Sequence, residues 1–362
     1  NNNKLNDKKN QKQVDSPGRQ NSNNIINDFL EACGNGDVDI VAEMLHKGCD
    51  INMKDESNLT GMHIACIHGH LKVVQYLVDK EASITCRDLD GMTPLHFACE
   101  NNHTQIAIYL VRMGADTSLR NRAGLTSLHY ICLCGNMQLT VLIRDYMINV
   151  ATSSGLTLLH CAADQGHAEM LEYLIEHEAQ VQPRDDEGLT PLHLASTNGH
   201  IDCVKVLLEH GAYWNVRDDS GMSALLHACN EGNLEMVQYL NSSNVGCNLL
   251  TRNDHGDTSL HLAASSGSLD LVKFLVSRKV DINARNKNGE TALDIAKSMN
   301  HDVIVNWLKE KGAITRPETR EEAITREKID SKTETAARAF EAEEMLNLQR
   351  DLEASKKKSK GK

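Results

Sequence analysis

Histidine and cysteine are the residues of this chain with the most obvious chemical potential. It has 17 His and 11 Cys among 362 residues. Imidazole is the commonest metal ligand and general base near neutral pH, and thiolates bind zinc or attack electrophiles. Such chemistry needs ligands at fixed short spacings. No HExxH pair is present, and Cys132 and Cys134 form a CxC with no second pair at zinc-ligand spacing. No Gly-rich phosphate loop, GxSxG elbow or Ser/His/Asp arrangement appears either. The sequence therefore predicts no catalytic residue, no cofactor and no metal site. The odd number of thiols, without a secretory leader, points to reduced cysteines.

The spacing of the histidines is informative in another way. His63, His96, His129, His160, His193 and His261, with Leu226 and Asp294 at equivalent places, lie 33, 33, 31, 33, 33, 35 and 33 residues apart. Around them recurs a Gly-x-Thr-Pro-Leu-His-x-Ala pattern. It is clearest at Gly91–Ala98 and Gly188–Ala195, and weaker at Asn58–Ala65, Gly124–Ile131, Gly155–Ala162, Gly221–Ala228, Gly256–Ala263 and Gly289–Ala296. Gly suits a turn, Thr an N-cap, and Pro the first helical turn. A second set of loop residues, His70, His103, His167, His200 and His301, precedes an apolar pattern such as Val73, Val74, Leu77 and Val78. That stripe suits a second helix facing its neighbours.

Period and motif together resemble the ankyrin repeat. The resemblance implies an all-α solenoid of helix-turn-helix repeats joined by β-hairpin fingers. In such repeats both histidine sets brace the backbone, so eleven of the seventeen have a structural explanation. Cys66, Cys99, Cys132 and Cys229 recur just after the motif Ala, as small core residues do. The segment 25–54 has the second half of a repeat and is expected to be an N-terminal cap. Eight repeats then start near 55, 88, 121, 152, 185, 218, 253 and 286, giving about nine units over 25–315 and on the order of 80 Å of stack. Two residues are missing near 143–151 and two are added near 241–251, both expected at the fingers.

The ends differ from the repeats. Residues 1–24 are polar and expected to be disordered. Residues 316–362 are charged, and Ala337, Phe340, Met345, Leu348 and Leu352 predict a weakly amphipathic helix over about 319–354, followed by the basic run Lys356–Lys360. That run is a solubilising end or a nuclear-import signal. The chain does not begin with Met, which leaves room for a longer protein. The cytoplasm is the expected compartment, with the nucleus second. No run reaches the roughly 18 apolar residues that span a bilayer.

The net charge is −12; the N-terminal 24 residues carry +3 and the last 47 carry +1, leaving −16 on the repeats. Such a surface disfavours nucleic acid and favours basic proteins. In proteins of the resembled family, ligands contact finger tips and the exposed starts of inner helices. By position these are Leu59, Met92, Leu125, Leu156, Leu189 and Met222, followed by Asp257 and Glu290 in the last two repeats. Pointing outward, the six would make an apolar stripe; folded back, they would pack on neighbouring fingers. Asp90, Asp186, Glu187, Asp219 and Asp254 flank them, and Glu100 and Leu133 stand on inner helices. Tyr213 and Trp214 are of hot-spot type. The expectation is a monomeric, non-enzymatic scaffold or adaptor that holds one or more proteins with apolar and basic segments. The alternatives are a regulatory subunit of an enzyme or turnover complex, and a nuclear transcription cofactor.

Overall fold

Each repeat is built around one short capping network. In seven of the eight motif repeats a Thr in extended conformation starts the first helix, and the third helical residue reaches back to it. At Thr93 the backbone N–H donates to His96 Nδ1 at 3.1 Å, and the hydroxyl lies 2.7 Å from the same nitrogen. The His96 N–H in turn donates to the Thr93 hydroxyl oxygen at 3.4 Å, so two backbone donors of the helix start are satisfied. Asp294 does this work through its carboxylate in the last repeat, 3.0 Å from the Thr291 N–H. In the seventh unit Leu226 cannot, and Ser223 caps alone.

The computed structural model describes residues 17–142, 147–242 and 245–315, with side chains from residue 25. The inner helices are α1 (Pro17–Asn35), α3 (Gly61–His68), α5 (Pro94–Glu100), α7 (Ser127–Cys134), α8 (Leu158–Gln165), α10 (Pro191–Thr197), α12 (Ala224–Asn230), α14 (Ser259–Ser266) and α16 (Ala292–Ser298). Each packs on the next. The outer helices are α2 (Val38–His46), α4 (Leu71–Asp79), α6 (Thr104–Arg112), α9 (Ala168–Glu176), α11 (Ile201–Glu209), α13 (Leu234–Leu240), α15 (Leu269–Ser277) and α17 (Asp302–Glu310). The outer position of the fourth unit is a six-residue 3₁₀ helix, Met137–Leu142. The described residues thus form a nine-layer, all-α stack. Its fingers are tight hairpins rather than strands, with isolated bridges such as Arg120–Thr126 and Arg217–Ser223.

One continuous core runs through the layers. Leu95, Ala98 and Cys99 from an inner helix, with Ile106, Ala107 and Leu110 from its outer partner, show the pattern, and all are at most 2% exposed. No unit could bury this face alone, so stacking supplies the stability. Cys66, Cys99, Cys132 and Cys229 sit in this core, fully buried. All eleven cysteines are free thiols, and burial holds those of Cys33, Cys161, Cys203 and Cys247 up at about 12.

Three expectations need correction. Helix α1 begins at Pro17, inside the segment read as disordered. A helix already anchored by Phe29, Ala32 and Cys33 extends at little cost once nucleated. Second, neither length change lies in a finger. The fingers Thr152–Leu156 and Asn253–Asp257 keep the same five-residue hairpin as the others. The two-residue loss falls between Asn136 and Met147, since the Val150 N–H to Met147 O bond restores the register that Met53 and Asp50 show before their finger. The gain falls just after α13, where the Cys247 N–H reaches Leu240 O across seven residues. Ala212 and Leu207 span five at the same place. Third, of the two orientations left open for the apolar finger positions, Met92 and Met222 take the folded-back one, so the six do not form one outward stripe. The expected tail helix and the Lys run lie outside the described residues.

Candidate functional site

The two histidine sets act as rivets between layers. With Nδ1 accepting from the capping Thr N–H, each motif imidazole carries its proton on Nε2. It donates that proton to a carbonyl of the following unit. His63 reaches Met92 O (3.3 Å), His96 Leu125 O (3.2 Å), His129 Leu156 O (3.3 Å), His160 Leu189 O (3.1 Å) and His261 Glu290 O (3.0 Å). His193 instead reaches Val216 O at 3.1 Å. Burial lowers the pKa of all six, to about 4 at His129 and His193. They are neutral hydrogen-bonding groups at pH 7, set apart from solvent. The loop histidines bond backward: His70, His103, His167, His200 and His301 lie 2.7–3.0 Å from carbonyls of the preceding inner helix. The close approach explains the partnering glycine. Gly166 has φ +81°, and a Cβ there would stand 2.6 Å from His200 Nδ1.

With these residues occupied, the surface features worth weighing lie along the fingers. Each finger opens with an Asx, Asn or Thr side chain that holds the hairpin. Asp185 Oδ1, for example, accepts from the N–H of Glu187 (3.0 Å) and Leu189 (2.7 Å). Adjacent tips are joined by backbone bonds such as Arg122 N–H to Asp90 O and Asp219 N–H to Glu187 O. Arginines just before the fingers add a second rail, as with Arg87 to Arg120 O (2.8 Å) and Arg184 to Arg217 O (2.9 Å).

Against this rigid row the positions singled out from the sequence separate into groups. Met92 and Met222 are 5% and 9% exposed. Their thioethers accept hydrogen bonds instead: Met92 Sδ from Asn121 Nδ2 (3.3 Å) and Tyr130 Oη (3.4 Å), and Met222 Sδ from Asn253 Nδ2 (3.6 Å). Long, polarizable side chains of this kind fold into irregular gaps. Leu59 is half-buried on the first finger, apart from the other apolar positions. Leu125, Leu156 and Leu189, also half-buried, come together with Leu133 and Leu194 on the walls of an open groove of about 430 Å³. Its edge carries Asp164, Asp185, Asp186 and Glu187, and no Lys or Arg lines it. Asp164 is held by Asn198 Nδ2 at 2.9 Å. Asp186 and Glu187 are exposed and form no ion pair among the described residues.

The remaining candidates lie outside the groove. Asp90 and Glu100 are exposed. Asp219 pairs with Arg184 at 3.0 Å. Tyr213 is 68% exposed beyond α11, whereas Trp214 is half-buried against the core. Sequence reasoning missed Leu194, and with it the column of residues immediately after the motif His. Ile64, Phe97, Tyr130, Cys161, Leu194, His227, Leu262 and Ile295 include no Asp, Glu, Lys or Arg. Phe97 and Tyr130 rest edge-on against the preceding motif imidazole, at 5.7 and 6.0 Å between centroids. A charge-free column beside polar neighbours was the available signal.

The groove is thus an open apolar surface with an acidic rim. Among the described residues no group of His, Cys, Asp or Glu is placed to hold a metal ion, and no helix is long and apolar enough to cross a membrane. Comparison with curated proteins finds no match. The family model for ankyrin repeats, three copies long, matches in overlapping placements at 29–121, 113–185, 128–218, 180–253, 212–286 and 243–319. With the capping boxes, paired helices and finger row of the same span, this match establishes that the chain belongs to the ankyrin repeat family, whose repeats mediate protein–protein interactions.

Proposed function

We propose that the chain is a scaffold or adaptor that holds a partner protein in the groove between its fingers and inner helices. One observation carries the reading: Leu125, Leu133, Leu156, Leu189 and Leu194, from three units, share one open apolar surface. Clustered apolar side chains at a solvent-facing site favour a partner that covers them. The acidic rim adds steering for basic segments. The layers beneath are held by the histidine bonds, so the surface is preorganised and little ordering is needed on binding.

The test is affinity capture from the native cell lysate, read by mass spectrometry. The intact chain is compared with one carrying Leu125→Glu and Leu156→Glu. The expected result is a small set of stoichiometric proteins absent from the variant, with an almost unchanged melting curve. Equal capture by both chains would place the partner elsewhere. Collapse of the melting curve would assign the two leucines to the core.

A further inference from the structure

We infer that the groove takes a short extended segment of a partner, with apolar side chains three residues apart and Lys or Arg between them. This rests on the groove being the partner site and adds what fills it. The apolar finger row is bounded. Leu125, Leu156 and Leu189 line the groove, while the equivalent residues on either side, Met92 and Met222, are turned inward. Three anchors are therefore available. Stacked layers repeat at about 10 Å, so the row spans about 20 Å. A polyproline-type strand advances roughly 3.1 Å per residue with three residues per turn, bringing every third side chain to one face about 9.3 Å apart. That step matches the finger repeat, and about seven residues cover the row.

Charge selects the residues between the anchors. Asp186 and Glu187 are exposed on the finger between Leu156 and Leu189, and both lack an ion-pair partner among the described residues. Asp164 faces the same space from α8. The nearest guanidinium on that finger, Arg184, is committed to Asp219 and to Arg217 O. A basic segment would meet carboxylates on the rim and no competing cation within the lining.

The experiment uses the full chain and fluorescein-labelled heptapeptides, read by anisotropy at low and physiological salt. The first probe is Leu-Lys-Arg-Leu-Lys-Arg-Leu. The second has the same composition with the leucines contiguous, and the third has Glu at every basic position. The first is expected to bind at least tenfold tighter than the other two and to weaken with salt. Asp186→Lys with Glu187→Lys, both on exposed side chains, should cost at least tenfold without moving the melting curve. Equal binding of the contiguous probe, of the acidic probe, or of the first probe to the charge-reversed chain overturns the inference. So does tighter binding of a helix-stapled version. Failure of every probe while lysate partners still depend on Leu125 and Leu156 removes the segment but keeps the groove. Partners indifferent to those leucines remove the groove itself.

Discussion

At the scale of single residues the histidines give the fold a pH dependence. Each motif imidazole accepts at Nδ1 and donates at Nε2, so a second proton destroys the Thr bond. The unfolded side chain takes that proton near 6.5, whereas His129 and His193 resist it until about 4. The unfolded state therefore binds more protons across that window, and stability falls as pH drops from 6.5 toward 4. The melting temperature is expected to be flat above pH 7 and to fall through this range. His129→Leu, imitating Leu226, should shallow the slope; an unchanged slope would remove His129 as a contributor. Ser196 makes a converse case. Its hydroxyl is fully buried with no partner among the described residues, at a place where the other motif repeats carry Cys or Ala, save the last with Lys297. Ser196→Ala should stabilise by about 1 kcal/mol in urea unfolding. Gly61 stands where Pro94 and Pro191 begin their helices, because Phe29 and Cys33 fill the space; a Cβ there would lie 2.7 Å from each. Gly61→Ala should cost about 1–3 kcal/mol by the same measurement.

At the scale of elements, the fourth unit is the irregular one. Its outer element is 3₁₀, with poorer hydrogen-bond geometry than an α-helix. Next to it, the backbone bond that joins neighbouring finger tips is missing between Ala123 and Ser153 among the described residues. Amides of Met137–Leu142 should exchange hydrogen at least tenfold faster than those of α6 and α9; equal protection would show that the shortened element packs as firmly as its neighbours. The element scale also shows what the sequence could convey. Motif period and capping residues are local patterns, so helix pairs and their register were legible from Thr-x-x-His alone. The direction of a finger side chain depends on the next unit's side chains. Leu125 and Met92 occupy the same motif position, yet only Met92 finds Asn121 and Tyr130 above it. The length changes were visible as spacings of 31 and 35. Placing them needed the hydrogen bonds, because a spacing between motifs does not say which loop absorbs it.

At the scale of the molecule, the solenoid is a rigid ruler with one apolar interval. The fingers immediately before and after it present buried methionines, the first finger presents Leu59 apart from the row, and the last two present Asp257 and Glu290. On the proposed reading, partner choice is confined to Leu125–Leu189 on a chain whose repeats are strongly acidic. Association should consequently slow as salt rises, since steering by surface charge is screened over about 10 Å at 0.1 M. The most direct test of the groove is zero-length carbodiimide coupling of the chain to its captured partner, with the joined peptides identified by mass spectrometry. Links from Asp164, Asp186 or Glu187 to partner lysines are the outcome this account requires. Links confined to outer-helix carboxylates such as Glu169, Asp202 or Glu235, with none from the groove, would contradict it.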